Sequence, residues 1–460
     1  MNHKAPKVFL AHNSCLNASY DLNVLKIGLE KSGYQIVNQP EDADEVIFSG
    51  CSVRSKWVDD AINQIDQIHE RAPSVKITVT GCVANVNAAE IKSRTIAQTL
   101  EFHSQHEILK NRTGLDFKAL DRVISQDTSH SYEGDVNNGL TQLRQRVGPE
   151  KAEVVATLQK IDREFGTEYA ERYQRETKGF VFYNEAKLAE LITVTRSCLY
   201  KCSFCSIPRG RGPFTSVPLA DILFKAKAAL ERGVKRVILV GDEVGNYGAD
   251  GGNHKFSDLL TALVALDDQI SISIRYIEPK PFIKNAELLK RLCDQGRIDL
   301  LYISLQSGSQ RILKAMNRNV DIESVAAVYA DFRKRTDVVF YCNWMVGFPG
   351  ETEQDFQKTV QLVKDLDLQI SVAIPFSSRP DTPAATLEDQ IGEEIKEQRV
   401  LSLTRVIADI KGAQYEKHLA FLDAEVRNPL IDLIRAAEMR RYAESKSEAR
   451  PLTLHERLSD

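Results

Sequence analysis

The stretch Leu191-Ile192-Thr193-Val194-Thr195-Arg196-Ser197-Cys198-Leu199-Tyr200-Lys201-Cys202-Ser203-Phe204-Cys205 decides how the rest of the chain is read. An apolar strand, Leu191–Thr195, runs into three cysteines at C-x3-C-x2-C spacing. With eight cysteines in 460 residues, chance places such a triplet in about 0.2% of chains, so it calls for a chemical cause. Three thiolates on one short loop can hold three irons of a 4Fe–4S cluster and leave the fourth iron open to a small chelator. A zinc site would need a fourth ligand, and no further His or Cys lies close in sequence. Packing alone rarely gathers cysteines so tightly.

Around that loop, residues 187–385 alternate strands and helices. Strand candidates are Leu191–Thr195, Arg236–Gly241, Ile270–Tyr276, Leu300–Ser304, Val338–Val346 and Ile370–Ile374, separated by helical stretches such as Leu219–Arg232 and Glu353–Asp367. Six strand–helix units predict an α/β fold, a partial (β/α)6 barrel with its functional residues just past the strand ends. Residues 1–98 alternate as well. Val8–Ala11, Glu45–Ser49 and Val75–Thr80 read as strands, and Gly33 stops a helix through Leu22, Leu25 and Leu29. They predict a small parallel α/β domain. Residues 99–186, rich in Gln, Glu, Lys and Arg, predict a helical insert with a loop at Ser125–Gly139. Residues 386–460 predict a helical C-terminal extension.

A second cysteine set sits in the first domain. Cys15, Cys51 and Cys82 each follow an apolar strand and small residues: Asn13-Ser14-Cys15, Ser49-Gly50-Cys51 and Thr80-Gly81-Cys82. Parallel sheets bind ligands at the carboxyl ends of their strands, and small residues admit a bulky group. Periodicity alone fits either a shared metal site or buried core cysteines. Cys293, in a helical pattern, and Cys342, in a strand, read as packing.

The Cys198/Cys202/Cys205 loop resembles that of the radical S-adenosylmethionine superfamily. Gly50-Cys51-Ser52-Val53-Arg54-Ser55-Lys56 and Val79-Thr80-Gly81-Cys82-Val83-Ala84, with Cys15 ahead of Asp21, resemble the N-terminal domain of its methylthiotransferase family. Gly241-Asp242-Glu243-Val244-Gly245-Asn246-Tyr247-Gly248, Gln306-Ser307-Gly308-Ser309, Met316-Asn317-Arg318 and Val346-Gly347-Phe348-Pro349-Gly350-Glu351-Thr352 extend the match, as does Arg379-Pro380-Asp381-Thr382-Pro383-Ala384-Ala385. The resemblance implies two 4Fe–4S clusters, one on Cys198, Cys202 and Cys205 and an auxiliary one on Cys15, Cys51 and Cys82. It further implies S-adenosyl-L-methionine as cofactor, and catalysis that cleaves it to activate a substrate C–H for methylthio insertion. On this reading Phe204 lies near the adenine or simply packs beside the cluster. Ser304 and Gln306 meet ribose hydroxyls, and Asp242 or Glu243 receives the methionyl ammonium. The backbone at Gly241, Val346, Gly347 and Phe348 approaches the nucleoside. Each of these can instead be a turn or cap residue. Arg196, Lys201, Arg209 and Arg211, in a stretch without acids, can offset cluster charge or hold an anion. The family's usual Asn three residues after the first cysteine is Ala18 here, with Asn17 one position early.

Composition sets the remaining bounds. Charged residues are 27%, apolar residues 43% and net charge is −4. That excludes a bulk-basic nucleic-acid coat and leaves RNA contact to a local basic patch. No apolar run reaches the roughly 18 residues of a membrane span, and Met1–Lys7 leads into Val8 without the apolar core of a secretion signal. A cytoplasmic location and no membrane partner are expected. The chain after Ala385 shows neither the alternation of the family's usual terminal β-barrel, the TRAM domain, nor an excess of positive charge. A peptide or protein side chain is therefore expected as substrate in preference to a tRNA adenosine. A reducing partner such as flavodoxin or ferredoxin is expected too. A radical dehydrogenase or epimerase with an electron-transfer auxiliary cluster, and a binding protein without turnover, are the competing readings.

Overall fold

The computed structural model describes residues 5–117, 189–318, 320–335, 338–420 and 423–444, with isolated positions between 158 and 170. Most of the expected insert, including Ser125–Gly139, and the last sixteen residues lie outside the described residues.

The first unit is a five-stranded parallel sheet in the order β2-β1-β3-β4-β5. Its elements are β1 (Lys7–His12), α1 (Leu16–Lys31), β2 (Gln35–Val37), β3 (Glu45–Gly50), α2 (Ser55–Arg71), β4 (Lys76–Gly81), α3 (Cys82–Val86), α4 (Ala88–Arg94), β5 (Leu100–Phe102) and α5 (Gln105–Thr113). Strands β1 and β3 carry continuous apolar runs, Val8–Ala11 and Val46–Phe48, as strands buried on both faces do, and β4 is buried along nearly its whole length. Helix α2 turns Val58, Ala61, Ile62, Ile65 and Ile68 onto the sheet at helical spacing. Full burial of a side chain such as Ile65 contributes about 2–3 kcal/mol. The unit runs past residue 98: β5 pairs with β4, and α5, started by a Ser104/Glu107 capping box, packs its Ile108 and Leu109 with α1 residues. The start of the expected insert thus belongs to the first sheet.

The second unit comprises β6 (Glu190–Thr193), β7 (Thr195–Arg196), α6 (Ile207–Arg211), β8 (Thr215–Ser216), α7 (Leu219–Glu231), β9 (Arg236–Val240), α8 (Phe256–Val264), β10 (Ser271–Ile277), α9 (Pro279–Lys284), α10 (Ala286–Asp294), β11 (Ile298–Ile303), α11 (Gln310–Ala315), α12 (Ile322–Arg335), β12 (Val339–Val346), α13 (Glu353–Leu366) and β13 (Ile370–Pro375). Six parallel strands run in the order β13-β12-β11-β10-β9-β6. Near-consecutive order with a helix after each strand is the winding of a barrel left open between β6 and β13. Tyr276, Tyr302 and Tyr341 pack together, with ring centroids 4.5 and 4.0 Å apart. Two long helices follow, α14 (Glu393–His418) and α15 (Ala424–Glu444); they pack on each other, and α14 lies on β13. Among the described residues no helix is long and apolar enough to cross a membrane.

Candidate functional site

Cys15, Cys51 and Cys82 stand directly beyond the ends of β1, β3 and β4, which are neighbours in the sheet. Gly50 and Gly81 are register partners across β3 and β4. Gly81 has φ +76°, and a Cβ there would lie 2.6 Å from the Gly50 carbonyl oxygen, so only glycine fits. The Cys51 amide donates to Asn13 Oδ1 at 3.0 Å. The Cys51 thiol accepts from the Val53 and Cys15 amides, and the Cys15 thiol from those of Asn17 and Ala18. Amide donors aimed at sulfur favour the thiolate a metal requires. Burial pushes the Cys51 thiol up to about 12, and the neighbouring Cys15 adds to it. Burial also raises Cys82; Arg211 opposes, while Cys51 and Cys15 reinforce. The three thiols therefore share one electrostatic environment, and Cys15 is the exposed member.

The second unit supplies the other side of this site. Gly210 of α6 faces Cys82 so closely that a Cβ would sit 3.1 Å from its Sγ. Asn85 Nδ2 donates to the Gly210 carbonyl at 3.2 Å. Beside this contact lies a buried four-charge network. Arg211 pairs with Asp21 at 2.8 Å and with Asp242 at 3.0 Å, and Arg196 pairs with Asp21 at 2.9 Å. Asp242 also accepts from Asn17 Nδ2 at 3.1 Å and from the Ser197 amide at 2.8 Å. Burial alone would raise the Asp21 carboxyl, yet the two guanidiniums hold it below the usual range. Arg211 is pushed well above its ordinary value, because the acids and the Cys82 and Cys15 thiols outweigh burial.

The second trio occupies the loop after β7. Tyr200 N donates to Cys198 Sγ at 3.4 Å, Ile207 N to Cys205 Sγ at 3.5 Å and Arg318 Nη1 to Cys202 Sγ at 3.8 Å. Burial raises all three thiols, Cys202 to about 12. Arg318 is anchored by Glu278 at 2.7 Å and by the Ser304 carbonyl. Arg379 ties the two trios together: Nη1 donates to the Phe204 carbonyl at 2.7 Å and Nη2 to the Val53 carbonyl at 2.6 Å. Among the described residues no group of His, Cys, Asp or Glu is arranged around a single ion. A cube places its thiolates on separate irons, so the trios do not need that arrangement. Donor type and amide bonds to sulfur fit a cluster at each, and the glycine cradle adds to the fit at Cys15, Cys51 and Cys82.

The remaining expected residues divide. Glu243 is buried and accepts from the amides of Gly245 (2.9 Å), Asn246 (2.8 Å) and Glu278 (3.3 Å). Burial, then the Glu278 charge, lifts it to about 7. Among the described residues no cation pairs with it, which suits an incoming ammonium. Gln306 has φ +74° and a buried side-chain oxygen without a hydrogen-bond partner. Its backbone is fixed by Asn343 and Met345, so the strain presents the side chain rather than making a turn. The Ser304 hydroxyl bonds Tyr302. Asp242, by contrast, is engaged by Arg211, Asn17 and the Ser197 amide. The side chains of Val346 and Phe348 lie in the core, Phe348 against Phe376 at 5.4 Å, so what this stretch can offer a nucleoside is its backbone, with Gly347 at φ +72°. Gly241 serves strand packing, since a Cβ would lie 2.2 Å from Thr195 Oγ1. Phe204 packs in the same core. Cys293 and Cys342 are buried, as packing predicts. Of the basic stretch, Arg196 and Arg211 are paired within, Arg209 bonds Asp381 at 2.9 Å, and Lys201 is exposed. A cleft of about 870 Å³ runs along β13, bounded by Arg54, Ser55 and Lys56 at the start of α2 and by Lys396 of α14.

Comparison with known proteins agrees with this geometry. Residues 192–363 match the Radical SAM superfamily, and residues 7–101 match the family described as Uncharacterized protein family UPF0004. A tRNA-2-methylthio-N(6)-dimethylallyladenosine synthase from Stutzerimonas stutzeri (strain A1501) is 28% identical over 407 residues, 87% of this chain and 83% of that protein. One of the same description from Sodalis glossinidius (strain morsitans) is 29% identical over 418 residues, 88% and 78% of the two chains. Among solved structures, the radical S-adenosylmethionine methyltransferase TsrM from Kitasatospora setae, with cobalamin and a [4Fe-4S] cluster bound, aligns with TM-score 0.53 at 12% identity over 96% of this chain and 100% of that one. That likeness concerns the fold alone.

Proposed function

The chain belongs to the radical S-adenosylmethionine methylthiotransferases, and on that premise we propose that it places a methylthio group on an adenosine of tRNA. Family members use S-adenosylmethionine and two [4Fe–4S] clusters. One observation carries the substrate: relatives aligned along 87–88% of this chain are named for a tRNA adenosine. The expected preference for a peptide finds no support among them. It rested on the lack of a terminal β-barrel pattern and of excess positive charge after Ala385, whereas phosphate recognition needs only local cations, and Arg54 and Lys56 stand at the mouth of the cleft, three and five residues after Cys51.

The residues divide the work. Cys198, Cys202 and Cys205 would hold one cluster, and Cys15, Cys51 and Cys82 the other. When bound, the first supplies one-electron cleavage of the sulfonium for C–H activation and the second supplies the sulfur. Glu243 would receive the methionyl ammonium, and Gln306 a ribose hydroxyl. Arg379, Arg211 and Gly210 fix the distance between the two sites, which a carbon centre must bridge without meeting water. A base inside a stacked stem cannot reach such a site, so the substrate adenosine must be unstacked or splayed out.

The test is reconstituted protein with reductant and S-adenosylmethionine, offered tRNA carrying N(6)-dimethylallyladenosine, unmodified tRNA and a digest-sized peptide panel. Nucleoside mass spectrometry should find one hydrogen replaced by SCH3 on the dimethylallyl tRNA. Product on a peptide and none on RNA would overturn the proposal.

A further inference from the structure

We propose that the electron entering this protein arrives at a docking surface over Cys202, formed by Leu199, Tyr200, Lys201, Lys280 and Asn317, and that its partner is an acidic one-electron carrier protein. This rests on the reading of Cys198, Cys202 and Cys205 as a cluster site. A surface pocket of about 180 Å³ lies here, with Cys202 in its wall. A carrier seated on it would face a cluster ligand directly. The patch has the composition of a transient docking site. Among the lining residues Leu199 is 47% exposed, and Lys201 and Lys280 are exposed as well. Among the described residues neither lysine has an ion-pairing carboxylate; the acid lining the pocket, Glu278, is taken by Arg318 at 2.7 Å. Charge of one sign around a small apolar centre favours fast, weak association with a partner of opposite sign.

The surface is also rigid. Asn317, at φ +57°, donates from Nδ2 to the Lys201 carbonyl at 2.7 Å. Ser203 N donates to the Met316 carbonyl and its hydroxyl to the Ala315 carbonyl, both at 2.9 Å. The cysteine loop and the end of α11 thus form one block, so a docked carrier meets the same geometry each time. In the step itself the carrier gives up one electron and the cluster site takes it; no atom is transferred.

The test uses reduced flavodoxin as the probe, with the full chain. Binding is measured by calorimetry at low and high salt, and reduction of the reconstituted protein by stopped-flow absorbance. Lys280→Glu and Lys201→Glu should each weaken flavodoxin binding about tenfold at low salt, an effect that shrinks at high salt. Lys280→Glu should leave reduction by dithionite unchanged. Lys364→Glu, on exposed α13 away from the patch, should change neither. Unaltered flavodoxin binding in both patch variants, or equal weakening by Lys364→Glu, would overturn the proposal. Wild type that takes no electron from dithionite would instead overturn the reading of the cysteine trio, and the docking surface with it.

Discussion

Gly210 and Cys82 touch across the boundary between the two sheets, so closely that a methyl group at Gly210 would lie 3.1 Å from the Cys82 Sγ and fit only if Cys82 gave way by a few tenths of an ångström. Helix propensity alone would favour alanine there by about 1 kcal/mol, but the crowded partner is a cysteine expected to bear iron. Gly210→Ala should therefore displace Cys82 and cost the auxiliary cluster. Iron analysis should fall from about eight to about four atoms per chain, with the spectrum of the other cluster retained. Eight irons with an unaltered spectrum would refute this.

Arg211 stands between two buried acids and two cysteines of the auxiliary site. Removing one partner of a buried pair leaves a bare charge, at a cost of about 3–5 kcal/mol. Arg211→Ala should lose that much in denaturant unfolding, and Arg211→Ala with Asp242→Asn should lose less than the sum of the two single changes. A loss under about 1 kcal/mol would show that the network is solvated.

Arg379 spans the carbonyls of Val53 and Phe204, one from each cysteine loop. Arg379→Ala should leave S-adenosylmethionine cleavage running while sulfur transfer falls, so that the ratio of 5′-deoxyadenosine to methylthio product rises several-fold. Dipolar broadening between the two reduced clusters should change as well. An unchanged ratio would mean that the clamp does not set the separation of the sites.

Glu351 gives a pH signature. Burial raises its carboxyl from 4.5 to about 7, although the Gly347 amide and Arg399, 2.7 Å away, pull it down. The folded state therefore holds this proton more tightly than the unfolded chain. Its contribution to stability is complete below pH 4.5 and disappears as pH rises through about 7. Glu351→Gln should flatten the fall in unfolding free energy across that window relative to wild type. Parallel pH curves for the two proteins would contradict the assignment.

The two cysteine trios were readable as sets because loop spacing and strand-end position are local signals, and the fold places one trio past neighbouring strand ends and the other on one loop. The barrel was readable from alternation over some two hundred residues. Strand β5 was not, because three residues, Leu100–Phe102, are too few to display a period. Nor was the true partner of Asp242: Arg211 lies 31 residues upstream and Asp21 a further 190, and charge pairing at such separations leaves no pattern in sequence. That the Val346 and Phe348 side chains pack in the core, leaving that stretch its backbone, was not legible, because a motif quoted around a glycine does not say which way its neighbours' side chains turn. Arg318 and Arg379 sat inside quoted motifs, but only the fold reveals that one reaches a sulfur and the other two loops.

The charge quartet forbids dividing this polypeptide. Asp21 belongs to the first sheet, while Arg196, Arg211 and Asp242 belong to the second. Severed between residues 117 and 189, one fragment would keep Asp21 without its two guanidiniums and the other two arginines against the single acid Asp242. Each piece expressed alone should aggregate, and only co-expression should return soluble material. Any lineage that shuffled these halves separately would have had to neutralise that seam first.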